Sequence, residues 1–373
     1  MRPIRILEAI RQGSIGGGET HVYDLSTRLN KSAFKPIVLS FTDGPMVRNL
    51  RDKGIETHVI HSRFPFDPRV ISKVTSLIGE QKVDIIHAHG TRAASNLWLP
   101  AGRNKRPLLY TIHGWSFNDN QSTLMRLARI KVEQFLTRKA QVSICVSESN
   151  RQTGIRAIPG FEGTVINNGI SFKKFSPDVS GDQVARELNK QPGEVWIGMI
   201  ARLTRQKDPL TLIKAFHIAS RHNPSLRLAI VGDGDMKEEV AKAIDTFGLQ
   251  ETAKLLPFRE DVPQLLKVMD IYCLPSLWEG LPIGLLEAMA MQKAVIATQV
   301  DGNQEIVNHE TGILIQKQRP DELSGAILKL AGDADYRLKM GLKARSLVES
   351  SFSLEQMVAK TEECYEHVLR YKR

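Results

Sequence analysis

The chain has 373 residues, 42% of them apolar and 25% charged, with 51 Lys+Arg against 41 Asp+Glu. That length exceeds what one hydrophobic core supports, so two domains are expected, and the composition excludes a disordered, fibrous or disulfide-stapled chain. The basic excess lies in residues 1–170, which hold 24 Lys+Arg against 13 Asp+Glu, while the remainder holds 27 against 28. A one-sided basic field suits anionic partners such as phospholipid headgroups, phosphorylated substrates or nucleic acid, and also occurs as plain solvated surface charge.

Short β-branched runs alternate with amphipathic helix-length segments from the start of the chain. Strand-like runs at 4–9, 36–41, 84–88, 108–112 and 142–146 are followed, after a Pro/Gly/Asp-containing stretch at 176–193, by others at 195–200, 226–231, 254–257, 271–274 and 294–297. This is the pattern of βαβ units and parallel sheets. We therefore expect two Rossmann-like β/α/β domains, residues 1–172 and 173–353, facing a central cleft beyond the carboxyl ends of their strands. A last helix over 354–373 is expected to pack back on the first domain.

Met1 leads directly into a strand pattern with no apolar leader, and no apolar run approaches the ~18 residues a membrane span needs. Cys145, Cys273 and Cys364 are odd in number and far apart, which fits free thiols in a reducing compartment, so a cytoplasmic protein is expected.

The first strand runs into Ser14-Ile15-Gly16-Gly17-Gly18-Glu19-Thr20-His21, and a helix follows. A glycine-rich turn that opens a helix presents backbone N–H groups and a positive dipole end to an anion. Its spacing is neither the dinucleotide fingerprint nor a P-loop, and a purely structural tight turn is the other reading. His87-Ala88-His89-Gly90 places two histidines on one strand face, and Thr111-Ile112-His113-Gly114-Trp115 puts His113 at a strand end where a small ligand can approach. His87 reads as a hydrogen-bonded core residue. No His, Cys or Asp set has zinc-like spacing, so no metal is expected.

In the second half, Ala201-Arg202-Leu203-Thr204-Arg205-Gln206-Lys207-Asp208-Pro209 follows a strand, and Arg202 with Lys207 can grip a diphosphate from two sides. Gly232-Asp233-Gly234-Asp235 reads as the cap of the next helix. Leu256-Pro257-Phe258-Arg259 ends another strand with backbone that could read a base edge. The segment 275–290 carries Glu279 and Glu287 on either side of a Gly/Pro loop. Glu287, on early helical turns, can take the two hydroxyls of a ribose, and Glu279 can meet sugar hydroxyls, with backbone N–H groups between them facing phosphates.

Taken together with Val146-Ser147-Glu148-Ser149 and Asn167-Asn168-Gly169-Ile170, these motifs resemble glycosyltransferase family 4, the retaining transferases of GT-B fold, over nearly the whole chain. The resemblance implies that Arg202 and Lys207 bind the diphosphate of a nucleotide-sugar donor, Glu287 its ribose, Glu279 the transferred sugar, and the Phe258–Arg259 backbone the base. It implies that Gly17 and Gly18 close over the phosphates and that His113 hydrogen-bonds the donor sugar, with His21, His89 and Trp115 on the acceptor side. Backbone contacts to phosphate fall to Gly280, Leu281 and Ile283, because Pro282 has no N–H. Asp208 stands where relatives frequently have glycine. No cofactor or metal is implied, because the nucleotide sugar is a substrate.

A uridine nucleotide is expected because it is common among relatives, and the expected acceptor is a lipid-linked saccharide of bacterial surface polysaccharide synthesis. Residues 124–139 interleave Arg126, Arg129, Lys131, Arg138 and Lys139 with Leu127, Ile130, Phe135 and Leu136. Such a helix can lie on an anionic surface at the inner face of a membrane. Nucleic acid is not expected as a partner. A nucleotide-sugar epimerase on the same scaffold is the alternative, and an NAD-dependent oxidoreductase is disfavoured by the absent dinucleotide fingerprint.

Overall fold

The computed structural model describes residues 2–14, 16–119 and 121–370. Ile15 of the glycine-rich run and residues 371–373, at the end of the expected last helix, lie outside the described residues. The chain divides into two compact units, residues 1–169 with 354–373, and residues 170–353.

The first unit is built on β1 (Ile4–Ile10), β2 (Phe34–Ser40), β3 (Glu56–Val59), β4 (Ile85–His89), β5 (Leu108–Ile112), β6 (Val142–Cys145) and β7 (Thr164–Val165). They form one parallel sheet in the order β3-β2-β1-β4-β5-β6-β7. The strands are apolar nearly throughout because helices cover both faces. Leu7, Ala9, Ile86, Ala88, Leu108, Tyr110 and Ile112 face one core. Their alternates Ile6, Ile85, Leu109 and Ile144 face a second, closed by Leu354, Met357, Val358 and Tyr365 of the helix Leu354–Arg370.

The second unit carries β8 (Val195–Ile200), β9 (Leu226–Val231), β10 (Ala253–Leu256), β11 (Ile271–Leu274), β12 (Ala294–Thr298) and β13 (Gly312–Ile315). These are parallel in the order β10-β9-β8-β11-β12-β13, with Ile197, Met199, Ile230, Cys273 and Ile296 facing one core and the alternate residues Trp196, Ala229, Tyr272 and Val295 buried on the other face. Both units are therefore Rossmann-like, which is the expected fold class. In each, the strand order reverses once, between β1 and β4 and between β8 and β11. Open α/β sheets bind ligands at that reversal, beyond the carboxyl ends of the strands.

Three strands have no counterpart among the sequence-predicted runs, and all three are sheet edges. β3 is half-exposed along its length, β7 is two residues long, and β13 opens on Gly312, where an added Cβ would stand 2.6 Å from Val295. An edge strand buries too little to need the continuous apolar run that marks a central one. Cys145 and Cys273 are free thiols buried in β6 and β11. No helix among the described residues is long and apolar enough to cross a membrane.

Candidate active site

In the second unit the chemistry-bearing loops meet at the reversal between β8 and β11. The loop after β8 holds Arg202 and Lys207, and the loop after β11 holds Glu279. Two hydrogen bonds join them: Leu277 N donates to Gln206 O at 2.7 Å and Gln206 Nε2 donates to Trp278 O at 2.8 Å. This join brings the Lys207 ammonium onto the Glu279 carboxylate in a direct ion pair, with Glu279 buried and Lys207 partly so. Gln206 was not singled out in the sequence, where nothing but its place between the two cations marks it.

The glutamate loop is itself held rigidly. Thr298 Oγ1 donates to Ser276 O at 2.5 Å, and Asn303 Nδ2 donates to Thr298 O at 2.9 Å. Gly302 approaches so closely that a Cβ there would stand 1.8 Å from Gly280 O. Glu287 lies in the helix Ile283–Ala290, half-buried. Burial first, and then the charges of Glu287 and Glu279, push the Tyr272 phenol up, so both carboxylates sit within electrostatic reach of one side chain. Tyr272 donates its hydroxyl to Ile200 O at 3.0 Å and so pins the end of β8 beneath them.

The turn after β9 differs from its expected role as a cap. The helix Lys237–Thr246 begins at Met236 with no side-chain cap. Instead Gly232, at φ +146°, and Gly234 let this turn lie against the loop after β8: a Cβ would stand 2.0 Å from Ala201 O and 2.1 Å from Leu203 O, respectively. Only glycine tolerates such an approach at that φ. Asp208, at φ +47°, sits in the left-handed region that favours glycine, and its side chain compensates by capping the helix Pro209–His222 through Thr211.

In the first unit the corresponding reversal carries a buried polar cluster. Register sets Glu8 of β1 beside His87 of β4 and Ile10 beside His89, so the carboxylate and the two histidines share one face. Glu8 Oε1 accepts from Tyr365 at 2.6 Å, and Glu8 Oε2 meets His89 Nε2 at 2.8 Å and His87 Nδ1 at 3.3 Å. His87 Nδ1 lies 2.6 Å from the Tyr365 hydroxyl and its Nε2 2.7 Å from Thr111 Oγ1. His89 Nδ1 lies 3.1 Å from His113 Nε2, and His21 Nδ1 lies 3.0 Å from Asn168 Oδ1.

These surroundings set the protonation states. Glu8 is penalised by burial, but the combined effect of His87 and His89 outweighs that and holds its carboxyl well below the usual range. Burial lowers His21 to about 3 and His89 to about 4, with neighbouring histidines adding to the shift. Burial, then His21, His89 and His87, take His113 well below the usual range too. The cluster thus holds a carboxylate at Glu8 with neutral imidazoles at His21, His89 and His113.

Folding also brings together atoms that sequence spacing does not. His21, His89 and His113 offer ring nitrogens within 4.8 Å of one another, as do the donor atoms of Glu8, His87 and His89. Zinc would need ~2.0–2.1 Å bonds to lone pairs converging at a tetrahedral angle. The His89 and His113 rings instead lie within 24° of coplanar with centroids 5.4 Å apart. That separation is what the 3.1 Å nitrogen contact plus two ring radii adds up to, so the nitrogens face each other head on, as a hydrogen bond requires.

The remaining sequence-predicted residues fall as follows. Gly17 opens the helix Gly17–Arg28, where an added Cβ would meet nothing, and one at Gly18 would make ordinary contact 3.5 Å from the His113 ring. Neither glycine is demanded by packing. Trp115, read as an acceptor-side residue, is a core residue instead: it is buried against Phe117 and Phe161, and its indole N–H donates to Asn150 O at 2.7 Å. His21 and His89, also read as acceptor-side residues, are buried as well. Phe258 N donates to Asp233 at 2.8 Å, and the Arg259 guanidinium bridges Glu187 and Asp261.

The helix Thr123–Lys139 buries Ile130 and Leu136, two of the four apolar residues read as surface-binding, and leaves Leu127 and Phe135 exposed, with Leu124 80% exposed. Buried Glu133 anchors it by accepting from Thr91 and Tyr110. Glu8 and Tyr365 are functional candidates that the sequence reading passed over. The one available signal was a carboxylate inside the otherwise apolar end of a strand expected to be buried.

Residues 182–347 match the family described as Glycosyl transferases group 1, and residues 15–174 match Glycosyltransferase Family 4. Among similar proteins, the UDP-Gal:alpha-D-GlcNAc-diphosphoundecaprenol alpha-1,3-galactosyltransferase of Escherichia coli is 27% identical over 307 residues, 80% of this chain and 79% of that one. The crystal structure of Anabaena HepE in complex with UDP and glucose has a TM-score of 0.87 at 23% identity, covering 97% of this chain and 99% of that one. WaaG, a glycosyltransferase involved in lipopolysaccharide biosynthesis, has a TM-score of 0.76 at 15% identity, covering 95% and 98%.

Proposed function

The chain belongs to glycosyltransferase family 4, with the GT-B fold of two Rossmann-like domains, and on that premise we propose that it is a retaining transferase moving a sugar from a uridine diphosphate to a lipid-linked saccharide. The observation that carries the reading is the joining of Lys207 to Glu279 at the strand-order reversal of the second unit. A cation is held there beside a carboxylate, on loops too constrained to drift.

Arg202 and Lys207 then neutralise the diphosphate, with the backbone of Gly280, Leu281 and Ile283 completing the phosphate contacts. Glu287 takes the ribose hydroxyls, Glu279 the sugar, and the backbone at Phe258 and Arg259 the base. Gly17 and Gly18 serve as an anion-binding turn, a role supported by their lack of any packing requirement. His113 hydrogen-bonds the sugar.

Glycosyl transfer passes through an oxocarbenium-like state with charge developing on the ring and on the departing phosphate. Cations fixed on that phosphate stabilise the transition state directly. In the retaining course the leaving phosphate oxygen takes the acceptor's proton, so no separate base is required. The charge being supplied by Arg202 and Lys207, the reaction is read as metal-independent.

The named substrate of the Escherichia coli relative, a diphosphoundecaprenol-linked sugar, supports a lipid-linked acceptor, and the UDP of the HepE complex supports the base. The exposed Leu124 and Leu127 beside Arg129 and Lys131 support peripheral binding to an anionic cytoplasmic membrane face. The test is incubation with UDP-glucose, UDP-galactose and UDP-N-acetylglucosamine and a polyprenyl-diphosphate-linked N-acetylglucosamine acceptor, with the new linkage read by proton NMR. Transfer with the donor's anomeric configuration kept is expected; an inverted linkage overturns the retaining course, and no transfer from any of these donors overturns this choice of substrates.

A further inference from the structure

The distances from Glu8 through His89 to His113 constrain where the hydrogens of those rings sit. The Glu8 carboxylate can only accept, so Tyr365 and His89 must each point a hydrogen at it, while the nearer partner of His87 Nδ1 is the Tyr365 hydroxyl. A neutral imidazole carries one ring hydrogen. On His89 that hydrogen is on Nε2, facing Glu8 at 2.8 Å, which leaves its Nδ1 a bare acceptor. Among the described residues that lone pair faces His113 Nε2, 3.1 Å away and head on, so His113 Nε2 must carry a hydrogen. On a neutral His113 the remaining nitrogen, Nδ1, is then bare.

We propose that Glu8 and His89 are positioning residues that fix His113 in its Nε2–H tautomer, so that His113 Nδ1 meets its ligand as a hydrogen-bond acceptor and selects a group presenting a hydroxyl. This deepens the reading of His113 as a sugar contact and rests on it for the identity of the ligand. The wiring itself rests only on distances within the first unit. It has the logic of a carboxylate that orients one imidazole, extended by a second imidazole that the first orients in turn. Tyr365 closes the far end: its hydroxyl donates to Glu8 Oε1 and accepts from His87 Nδ1, and Thr111 donates to His87 Nε2. Every polar atom of Glu8 and His87 is thereby matched, and His113, half-buried, is the member of the chain that reaches the edge of the cluster.

The experiment is a long-range proton–nitrogen correlation of the imidazole rings in the full-length 15N-labelled chain, without ligand, at neutral pH. The expected spectrum has His89 and His113 as single Nε2–H tautomers. His89→Leu removes the acceptor, and His113 is expected to average between tautomers. His89→Asn offers a carbonyl oxygen in place of Nδ1 and is expected to restore the single tautomer. In turnover, His89→Leu is expected to lower kcat/KM for the nucleotide sugar by roughly 10- to 100-fold, the scale for losing a group that orients a functional histidine, and His89→Asn to recover most of it. His113 found as Nδ1–H, as imidazolium or as an average in the unaltered chain overturns the proposal. So does an unchanged His113 tautomer in His89→Leu. Because the spectrum is recorded on the free chain, absent sugar transfer would count against the transferase reading and leave the tautomer result standing.

Discussion

Tyr365, in the last helix, donates its hydroxyl hydrogen to Oε1 of Glu8, in the first strand, at 2.6 Å, with both side chains buried. Burial, then the charge of Glu8, raise the Tyr365 phenol well above its ordinary range, so it stays a donor at any pH the protein meets. Tyr365→Phe removes one donor from a buried carboxylate and leaves His87 Nδ1 without its nearer partner. A loss of about 1.5–3 kcal/mol of stability is expected, the scale of a hydrogen bond to a charged group, measurable by urea unfolding.

Lys207→Ala and Arg202→Ala test the cationic grip on the leaving group. Each is expected to lower kcat by about 10²- to 10³-fold, as for loss of one preorganised electrostatic group. Steady-state kinetics with a saturating nucleotide sugar reads this. Retention of near-normal kcat in either variant would remove that residue from the mechanism.

Stability should fall as the solution is acidified, and the sign can be worked out. His21 and His89 have folded values of about 3 and about 4, below the ~6.5 of an unfolded histidine. Between those values the unfolded chain takes up protons that the folded chain refuses. Stability present above about pH 6.5 is therefore lost progressively as pH drops toward 4. Glu8, whose folded value is also depressed, adds its loss only below the ~4.3 of an unfolded glutamate. The melting temperature is expected to drop between pH 7 and pH 5, and more shallowly in His89→Asn, which keeps the acceptor without the titrating ring.

Asp208 combines a left-handed backbone with a capping side chain. Asp208→Ala loses the cap and keeps the unfavourable φ, so a destabilisation of about 1–2 kcal/mol is expected. Chemical denaturation reads it, and an unchanged midpoint would show that the cap contributes nothing.

The exposed face of the helix Thr123–Lys139 gives a separable prediction. Leu124→Glu with Leu127→Glu is expected to abolish flotation with anionic liposomes at low salt while leaving the fold intact, because both side chains are solvent-exposed. Flotation unaffected by the pair would assign any membrane binding to another surface.

Most of the architecture could be read from the sequence because parallel strands covered on both faces must be apolar throughout, and runs such as 195–200 and 226–231 are unmistakable. Edges such as β3 and β7 escape that logic. The clustering of candidate residues was also readable, because Arg202, Lys207 and Glu279 follow strand ends in loops and Glu287 lies in the helix that the last of these loops enters. Their coupling was not: Gln206 joins Lys207's loop to Glu279's through contacts spanning some seventy residues. Gly232 and Gly234 looked like a helix cap because a turn before a helix offers the same glycines. Glu8 and Tyr365 were invisible for a similar reason, since only strand register and a helix from the far end of the chain bring them to His87 and His89.

The most direct test of the central claim, a nucleotide-sugar donor held at Arg202, Lys207, Glu279 and Glu287, is a thermal-shift screen of UDP-, GDP-, ADP- and TDP-sugars on the unaltered chain and on Lys207→Ala. A ligand that binds only the folded state raises the melting temperature, by an increment set by its concentration over its Kd. The account predicts a rise with at least one of these nucleotide sugars, UDP-sugars first, that is lost or strongly reduced in Lys207→Ala. No rise with any of them, or an equal rise in the variant, would contradict it.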